Sequence, residues 1–256
     1  MELWQQLLFL CPMLLIAGVI DGISGGGGLI ALPSYLIAGL PISSAYACNK
    51  MQSFLGTSAS LAKYAKSRLI DIKSALPSAL AAIVGSYLST QIMLLLGDGT
   101  KNIIMVTAMC LVIVLTVFSY RIKIERYTVK QIKPSVRTVL LCLGVGFMLG
   151  LYDGFFGPGG GTIAILLFAL IMKYDLRVGG GNGKLIVVIS NLTSMITYIA
   201  HGDVIYAIAL PCAASNIIGS YIGASLATKK GTGFVKYVSW AVICALLIYT
   251  VIKLFF

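Results

Sequence analysis

Apolar residues fill almost the whole chain in long runs that short polar stretches separate. The runs cover approximately residues 5–20, 29–40, 44–62, 74–96, 102–120, 138–152, 161–172, 185–200, 204–227 and 234–256. A helix needs about 20 apolar residues to cross the hydrocarbon core of a bilayer. The pattern therefore predicts an all-α polytopic membrane protein. Glu2 is the only charge before the first run, so this run is interpreted as a membrane segment and not as a cleaved signal, which would begin with positive residues.

Glycines interrupt two of these runs. The stretch DGISGGGGLIALP begins at Asp21, and DGFFGPGGGTIAI begins at Asp153. Each glycine in a helix interior costs roughly 1 kcal/mol relative to alanine, so both stretches predict a break. The apolar segments that follow, 29–40 and 162–172, would be helices of about 18 Å or less, against a hydrocarbon core of roughly 30 Å. We therefore expect re-entrant hairpins, or breaks between unequal helices, near the membrane centre.

The two glycine stretches belong to an internal duplication. When Asp21 is aligned with Asp153, four glycines align in each half, namely Gly22 with Gly154, Gly25 with Gly157, Gly27 with Gly159, and Gly28 with Gly160. After a short insertion, the pairs are Lys50 with Lys184, Ser60 with Ser194, Tyr64 with Tyr198, and Cys110 with Cys244. This order of matches predicts two repeats of about five helical segments each, residues 1–120 and 138–256, in a single membrane domain.

The distribution of charge predicts how the repeats lie in the membrane. The chain is 59% hydrophobic and 11% charged, and it has a net charge of +11. Most of the cations lie in the connections 63–73, 121–137, 173–177 and 229–236, as the positive-inside rule requires, and this explains the charge better than nucleic-acid binding does. Basic connections alternate between equivalent positions of the two halves. The repeats are therefore predicted to have inverted topology, with a cytoplasmic linker at 121–137 and both termini outside.

The six cysteines lie singly in apolar runs, without a C-x-x-C pair or a Cys/His cluster. They predict small core residues, and neither a metal site, a disulfide framework nor a cofactor.

The glycine breaks predict an anion site. Each is followed by a new helix whose free N–H groups and positive dipole end face the glycine loop. Lys50 and Lys184 add a positive charge to each half, and a lysine at that depth needs a partner in the bundle interior. One candidate partner is the acid of the same repeat, which pairs Asp21 with Lys50 and Asp153 with Lys184. The other is the anion itself, and an ion pair that opens when the anion arrives would combine both roles.

Neutral hydrogen-bonding side chains surround the two lysines. They could bind the oxygens of an anion or tie helices together, and they are Asn49, Gln52, Ser53, Thr57 and Ser58 in the first half and Asn182, Ser190, Asn191, Thr193 and Ser194 in the second. Tyr64, Tyr198, Tyr87 and Tyr221 are interpreted as anchors at the membrane interface. His201, next to Asp203, is interpreted as a solvated loop residue. The predicted substrate-binding set is Gly25, Gly27, Gly28, Gly157, Gly159, Gly160, Lys50, Lys184, Asn49, Asn182, Asn191 and Gln52, with Asp21 and Asp153 as coupling or ion-pair residues.

These motifs resemble those of the TauE/SafE family of sulfite exporters. The resemblance covers almost the whole chain and rests on the pattern D-G-x-x-G-x-G-G in each half, on NKMQSFLGTSAS at 49–60 and on GKLIVVISNLTSM at 183–195. It implies a secondary transporter in the cytoplasmic membrane for anions such as sulfite or organosulfonates. Many members of the family carry a proline after each glycine loop; Pro33 matches this in the first half, whereas Leu166 lies near the equivalent position in the second.

The predicted function is secondary transport of a small anion, by an elevator-like or rocking change of access around a central site. Protons and membrane lipids are the other predicted partners. An anion-selective channel would need a continuous polar lining. An intramembrane lipid-phosphate enzyme would need embedded glutamate, arginine or histidine, whereas Glu2 and Glu125, the only glutamates, lie outside the apolar runs. A purely structural protein would leave the buried charges and the duplicated breaks without a reason.

Overall fold

The computed structural model describes residues 2–107, 110, 135–157, 159–230 and 237. These residues form helices and short connections, which confirms the predicted all-α class. The helices are α1 (Leu3–Ser24), α2 (Gly28–Ile37), α3 (Ile42–Lys66), α4 (Ile72–Leu95), α5 (described over residues 98–107), α6 (Val136–Phe155), α7 (Gly160–Ile171), α8 (Leu176–His201) and α9 (Tyr206–Lys230). Most of the predicted linker, 121–137, and of the last predicted segment, 234–256, lies outside the described residues, as does Cys244.

Both glycine stretches break a helix, as predicted. Gly25 ends α1 with a φ of 78°, and Gly159 precedes α7 with a φ of 81°. This left-handed conformation is strained for other residues, because a Cβ atom would lie too close to the backbone. The helices that follow are short, with 10 residues in α2 and 12 in α7. Whether the broken segments re-enter the bilayer stays a prediction.

Among the described helices, five are long and apolar enough to cross a membrane: α1, α4, α6, α8 and α9. Helix α3 has 25 residues but is not among them, because it carries the polar stretch around Asn49, Lys50 and Gln52. That stretch is buried, so the polar residues face the protein interior. The chain is therefore a multi-pass membrane protein in which the polar stretch of α3 faces the protein interior and not the lipid.

The described helices pack into two bundles. The first bundle contains α1, α2, α3 and α9, and the second bundle contains α4, α6, α7 and α8. Each bundle thus combines three helices of one sequence half with the fourth helix of the other half. The main contact between the bundles is the packing of α3 against α8, supplemented by a contact of α1 with α7.

Small residues let the exchanged helices pack closely. A Cβ atom added to Gly18 would lie 2.6 Å from the carbonyl oxygen of Asn216, and one added to Gly22 would lie 2.6 Å from the backbone nitrogen of Ala224. On α6, a Cβ atom on Gly146 would overlap the carbonyl oxygen of Ser78. Glycines at a spacing of four residues bring helix backbones together in this way inside membranes. These contacts tie α9 to α1 and α4 to α6.

Helices α3 and α8 run antiparallel, and the charges separate between the two ends of the molecule. At one end the backbone N–H of Asp71, after α3, donates to Asn182 near the start of α8 at 2.8 Å. At the other end Cys48, early in α3, lies 3.8 Å from the carbonyl of Ile205, after α8. Among the described residues, the first end carries nine cations and two acids, and the second carries three acids with one lysine and one histidine. The first set is Lys63, Lys66, Arg68, Lys73, Arg137, Lys173, Arg177, Lys229 and Lys230 with Asp71 and Asp175, and the second is Glu2, Asp98, Lys101, His201 and Asp203. We call the first the basic end.

Candidate functional site

A polar cavity lies between the two bundles. The cavity is narrow, with room for about one water molecule. The first bundle contributes Asp21, Gly25, Gly28, Asn49, Ser53 and Thr57 to its walls, and the second contributes Asp153, Gly157, Gly161, Val187 and Asn191. Several of these residues are equivalent in the duplication, such as Asp21 with Asp153 and Gly25 with Gly157. Both glycine breaks and both acids therefore face one space, as an anion site between the repeats would require.

Two buried ion pairs cross from one bundle to the other beside this cavity. The Nζ atom of Lys50 lies 3.0 Å from Oδ2 of Asp153, and the Nζ atom of Lys184 lies 2.6 Å from Oδ2 of Asp21. Each lysine also donates to the backbone carbonyl of the same aspartate. The prediction that each lysine pairs with the acid of its own repeat is wrong. The packing of α3 against α8 brings each lysine to the acid of the other half.

A hydroxyl group also holds each acid, and the two environments differ. Ser190 donates to Oδ2 of Asp153 at 2.7 Å, whereas Thr57 donates to Oδ2 of Asp21 at 3.2 Å. The side chain of Asp153 is 4% exposed and that of Asp21 is 15% exposed. Neither lysine is among the residues that line the cavity, although a Cβ atom on Gly157 would lie 3.7 Å from the Nζ atom of Lys50. An incoming anion would therefore reach the acids before the lysines.

Gln52 fixes the orientation of an amide at the cavity. Its Nε2 atom donates to Oδ1 of Asn49 at 3.0 Å and to Ser53 at 3.0 Å, and both of these residues line the cavity. Because Oδ1 of Asn49 accepts this bond, the amide nitrogen of Asn49 is turned towards Gly157, where a Cβ atom would lie 3.5 Å from it. The Oε1 atom of Gln52 is buried and has no hydrogen-bond partner among the residues that the structure describes. Gln52 thus presents Asn49 as a donor in the site.

The two glycine breaks touch each other. A Cβ atom on Gly161 would lie 2.6 Å from Cα of Gly25, so neither position has room for a side chain. Thr162 of α7 donates to the carbonyl oxygen of Ser24 at 2.9 Å and joins the start of α7 to the end of α1. The N–H groups of Gly28 and Gly161, in the first turns of α2 and α7, lie at this junction, whereas those of Leu29 and Ile30 donate to the carbonyl oxygens of Gly26 and Gly27. This arrangement can stabilise negative charge.

Part of the predicted substrate-binding set lies elsewhere. Asn182 does not line the cavity: its Oδ1 atom accepts from the backbone of Asp71, and its Nδ2 atom donates to Ser74 at 3.1 Å. Tyr174 joins this cluster by donating to the carboxylate of Asp71. Burial, and then this hydrogen bond, raises the pKa of Tyr174. Asn182 therefore fixes the start of α4 at the basic end.

The other predicted polar residues form hydrogen bonds within one helix or between two helices. Ser58 and Thr193 donate to carbonyls of their own helices, those of Phe54 and Ile189. Ser194 shares a hydrogen bond of 2.9 Å with Thr90. Among the predicted glycines, Gly27 and Gly160 lie beside the acids, since a Cβ atom on Gly160 would lie 2.9 Å from Oδ1 of Asp153.

The predicted anchors divide into two groups. Tyr87 on α4 and Tyr221 on α9 are about half exposed, as anchors at the membrane interface would be. Tyr64 and Tyr198 are buried, so the interpretation as anchors is wrong for this second pair. Tyr64 donates to the carbonyl oxygen of Gly22 at 3.3 Å. His201 is exposed and lies 3.0 Å from Asp203, as expected.

Four residues of the cavity wall were absent from the predicted substrate-binding set: Ser53, Thr57, Gly161 and Val187. Ser53 and Thr57 were predicted only as hydrogen-bonding side chains around the lysines. The duplication could have identified Val187, because it aligns with Ser53. No comparable pattern marks Gly161, whose importance depends on its contact with Gly25.

The model of the sulfite exporter TauE/SafE family matches residues 10–250 of the chain. The chain belongs to this family. The match includes both glycine breaks, both buried ion pairs and the whole described wall of the cavity. Membership makes the protein a membrane transporter, in agreement with the five helices among the described residues that are long and apolar enough to cross a membrane.

Curated relatives align with most of this chain and with most of their own length. A Sinorhizobium protein named "Probable membrane transporter protein ORF9" is 28% identical over 91% of this chain and 87% of its own. A Haemophilus influenzae protein named "Probable membrane transporter protein" is 26% identical over 86% and 85%, and the Escherichia coli K12 protein "Probable membrane transporter protein YfcA" is 25% identical over 92% and 89%. No solved structure matches the chain.

Proposed function

We propose that the protein is a secondary transporter for a small sulfur-containing anion, with sulfite as the leading candidate, and not an enzyme. The observation that carries the proposal is the cavity between the bundles, which presents amide, hydroxyl and helix N-terminal donors and is flanked by two Lys–Asp pairs. Donors of these kinds bind oxyanions. The family description names sulfite, and it supports a sulfur oxyanion over other anions.

The proposed mechanism is alternating access by rocking of the two bundles. The bundles meet mainly along α3 and α8, which suits these helices to act as the axis of motion. The cavity and both ion pairs lie beside that axis, so a tilt in either direction would open the cavity to one end. Antiparallel packing of α3 against α8 supports an inverted-repeat arrangement, in which the two halves exchange conformations during the cycle.

The proposed orientation places the basic end in the cytoplasm. Lysines and arginines concentrate at that end, whereas the opposite end carries three acids and one lysine among the described residues. The positive-inside rule assigns the end rich in cations to the cytoplasm. The linker 121–137, which leads to the start of α6 at the same end, is then cytoplasmic, and the N-terminus lies outside.

Transport by purified protein in liposomes tests the proposal. Uptake of labelled sulfite, thiosulfate and methanesulfonate is measured, with chloride and acetate as comparison anions. We expect saturable uptake of at least one sulfur anion that excess unlabelled anion suppresses. Uptake that rises linearly with concentration, together with single-channel currents, would indicate a channel. Absence of flux for all three sulfur anions would refute the proposed substrate class.

A further inference from the structure

The charges around the cavity are balanced before any anion enters. Asp21 and Asp153 are the only charged residues among the described residues of the cavity wall, and each is paired with one buried lysine. The two negative and two positive charges therefore cancel. An anion in this site would add a charge that nothing in the wall compensates, and an uncompensated charge in a buried site is strongly unfavourable.

We propose that the anion binds together with one proton, and that Asp21 takes this proton. The inference rests on the proposed function and deepens it by naming the coupling ion. Protonation of Oδ2 of Asp21 makes its carboxyl group neutral and frees the ammonium group of Lys184, which keeps its own proton. The freed ammonium group then pairs with the anion. One proton and one negative charge enter, so the charge balance of the site is kept for a monovalent anion.

The surroundings of the two acids favour Asp21 over Asp153. Asp21 is the more exposed acid, and its hydroxyl partner Thr57 is 3.2 Å away. Asp153 is held by Lys50 at 3.0 Å and by Ser190 at 2.7 Å, and its side chain is 4% exposed. Asp21 is therefore the acid that water reaches more easily and whose hydroxyl partner is farther away.

The titratable groups that face Asp21 are consistent with protonation there. Lys184 of α8 contacts the carboxylate, and Tyr64 of α3 lies near it while donating to the carbonyl oxygen of Gly22. Asp153 faces it across the cavity from α6. When an anion arrives, the second negative charge adds to that of Asp153 and favours the neutral form of Asp21. Anion and proton therefore bind cooperatively, and each strengthens binding of the other.

The consequence is that the anion and the proton cross the membrane in the same direction. Ligands that bind cooperatively to one site are carried together, so the protein is a symporter of anion and proton. For a monovalent anion the translocated complex has no net charge, and the membrane potential does not oppose its movement. The proton gradient and the anion gradient together then set whether the anion enters or leaves the cell.

Proton uptake on anion binding tests this inference. Methanesulfonate is the probe, because its own charge stays constant around neutral pH, whereas sulfite itself takes up protons. Purified protein in weakly buffered detergent solution is titrated with it, and a pH indicator counts protons while calorimetry measures binding. We expect close to one proton taken up per anion by the wild type and by D98N, the matched control, whose Asp98 is 71% exposed and lies outside the cavity wall, and none by D21N. Size-exclusion chromatography checks that each variant is folded.

A second measurement does not depend on the variants. The dissociation constant of the wild type should rise by about tenfold for each unit of pH increase in the range where Asp21 must bind the proton. Binding without proton uptake and with a constant affinity would overturn the inference while the proposed function stands. Uptake that persists in D21N would overturn the assignment to Asp21. If methanesulfonate does not bind, thiosulfate replaces it, and failure of both to bind, with no sulfite flux, would overturn the proposed function and this inference with it.

Discussion

Lys50 and Asp153 lie in different sequence halves and different bundles, yet their side chains meet at 3.0 Å with the lysine fully buried. Lys184 and Asp21 repeat this relationship in the opposite sense at 2.6 Å. Both pairs therefore hold the two bundles together directly beside the cavity. If the two bundles tilt relative to each other, both ion pairs must lengthen or change partners. Binding of a charged ligand, which competes for the same charges, is therefore linked to the tilt.

The Lys50–Asp153 pair should show strong coupling in a double-mutant cycle. K50M or D153N alone leaves one buried charge without its partner, and we expect a loss of about 3–5 kcal/mol in each. The double variant K50M/D153N has no such charge and should regain much of the stability. Thermal unfolding in detergent, followed by circular dichroism, measures all four proteins.

Anion binding separates the structural role of this pair from its functional role. If Lys50 supplies positive charge to the site, K50M/D153N should stay folded but bind sulfur anions at least tenfold more weakly. K101M is the control, since Lys101 is also buried but lies beside Ser43, at the end of the molecule opposite the basic end. Additive losses of stability in the cycle would show that the two side chains do not act as a pair.

Gln52 should control anion affinity through Asn49. Q52L removes the 3.0 Å hydrogen bond that turns the amide of Asn49, and a hydrogen bond of this kind is worth roughly 0.5–1.5 kcal/mol. We expect the dissociation constant for the transported anion to rise up to about tenfold, with little change in melting temperature. S58A is the control, because its hydroxyl bonds only to its own helix. Equal anion affinity of Q52L and the wild type would show that Gln52 does not contribute to anion binding.

Contact between the glycine breaks should be required for function. G25A and G39A both place alanine at a positive φ, 78° and 89°, at a similar cost of about 1–2 kcal/mol. Only the new methyl group of G25A would overlap the backbone of Gly161, because the space around Gly39 is open. We therefore expect G25A to lose uptake in liposomes and G39A to keep it. Comparable uptake by both variants would show that the breaks need not touch.

Close packing of α6 against α4 should depend on one face of α6. G146A would push a methyl group into the carbonyl oxygen of Ser78, and overpacking of this kind costs typically 1–3 kcal/mol. G144A, two residues away on the same helix, meets nothing within 4 Å and should be neutral or slightly stabilising. Thermal unfolding compares the pair. A similar melting temperature for both would contradict the observed packing.

The helix breaks and the residues of the cavity wall could largely be predicted from the sequence, because glycine runs and duplicated acids are unusual in apolar segments. The pairing of Lys50 with Asp153 could not. Alignment of the halves shows which residues are equivalent but not which helices of the two halves pack together. Asn182 shows the same limit: it is two residues before Lys184, yet on a helix this spacing turns its side chain towards α4 and away from the cavity.

The exchange of α4 and α9 between the bundles also has an evolutionary meaning. A single half cannot complete its own bundle, since the fourth helix of each half packs against α1 or α6 of the other. A chain of half this length would be complete only as two identical copies intertwined through that helix. Joining two such copies in one polypeptide makes their pairing permanent. The two halves could then diverge, as the different surroundings of Asp21 and Asp153 show.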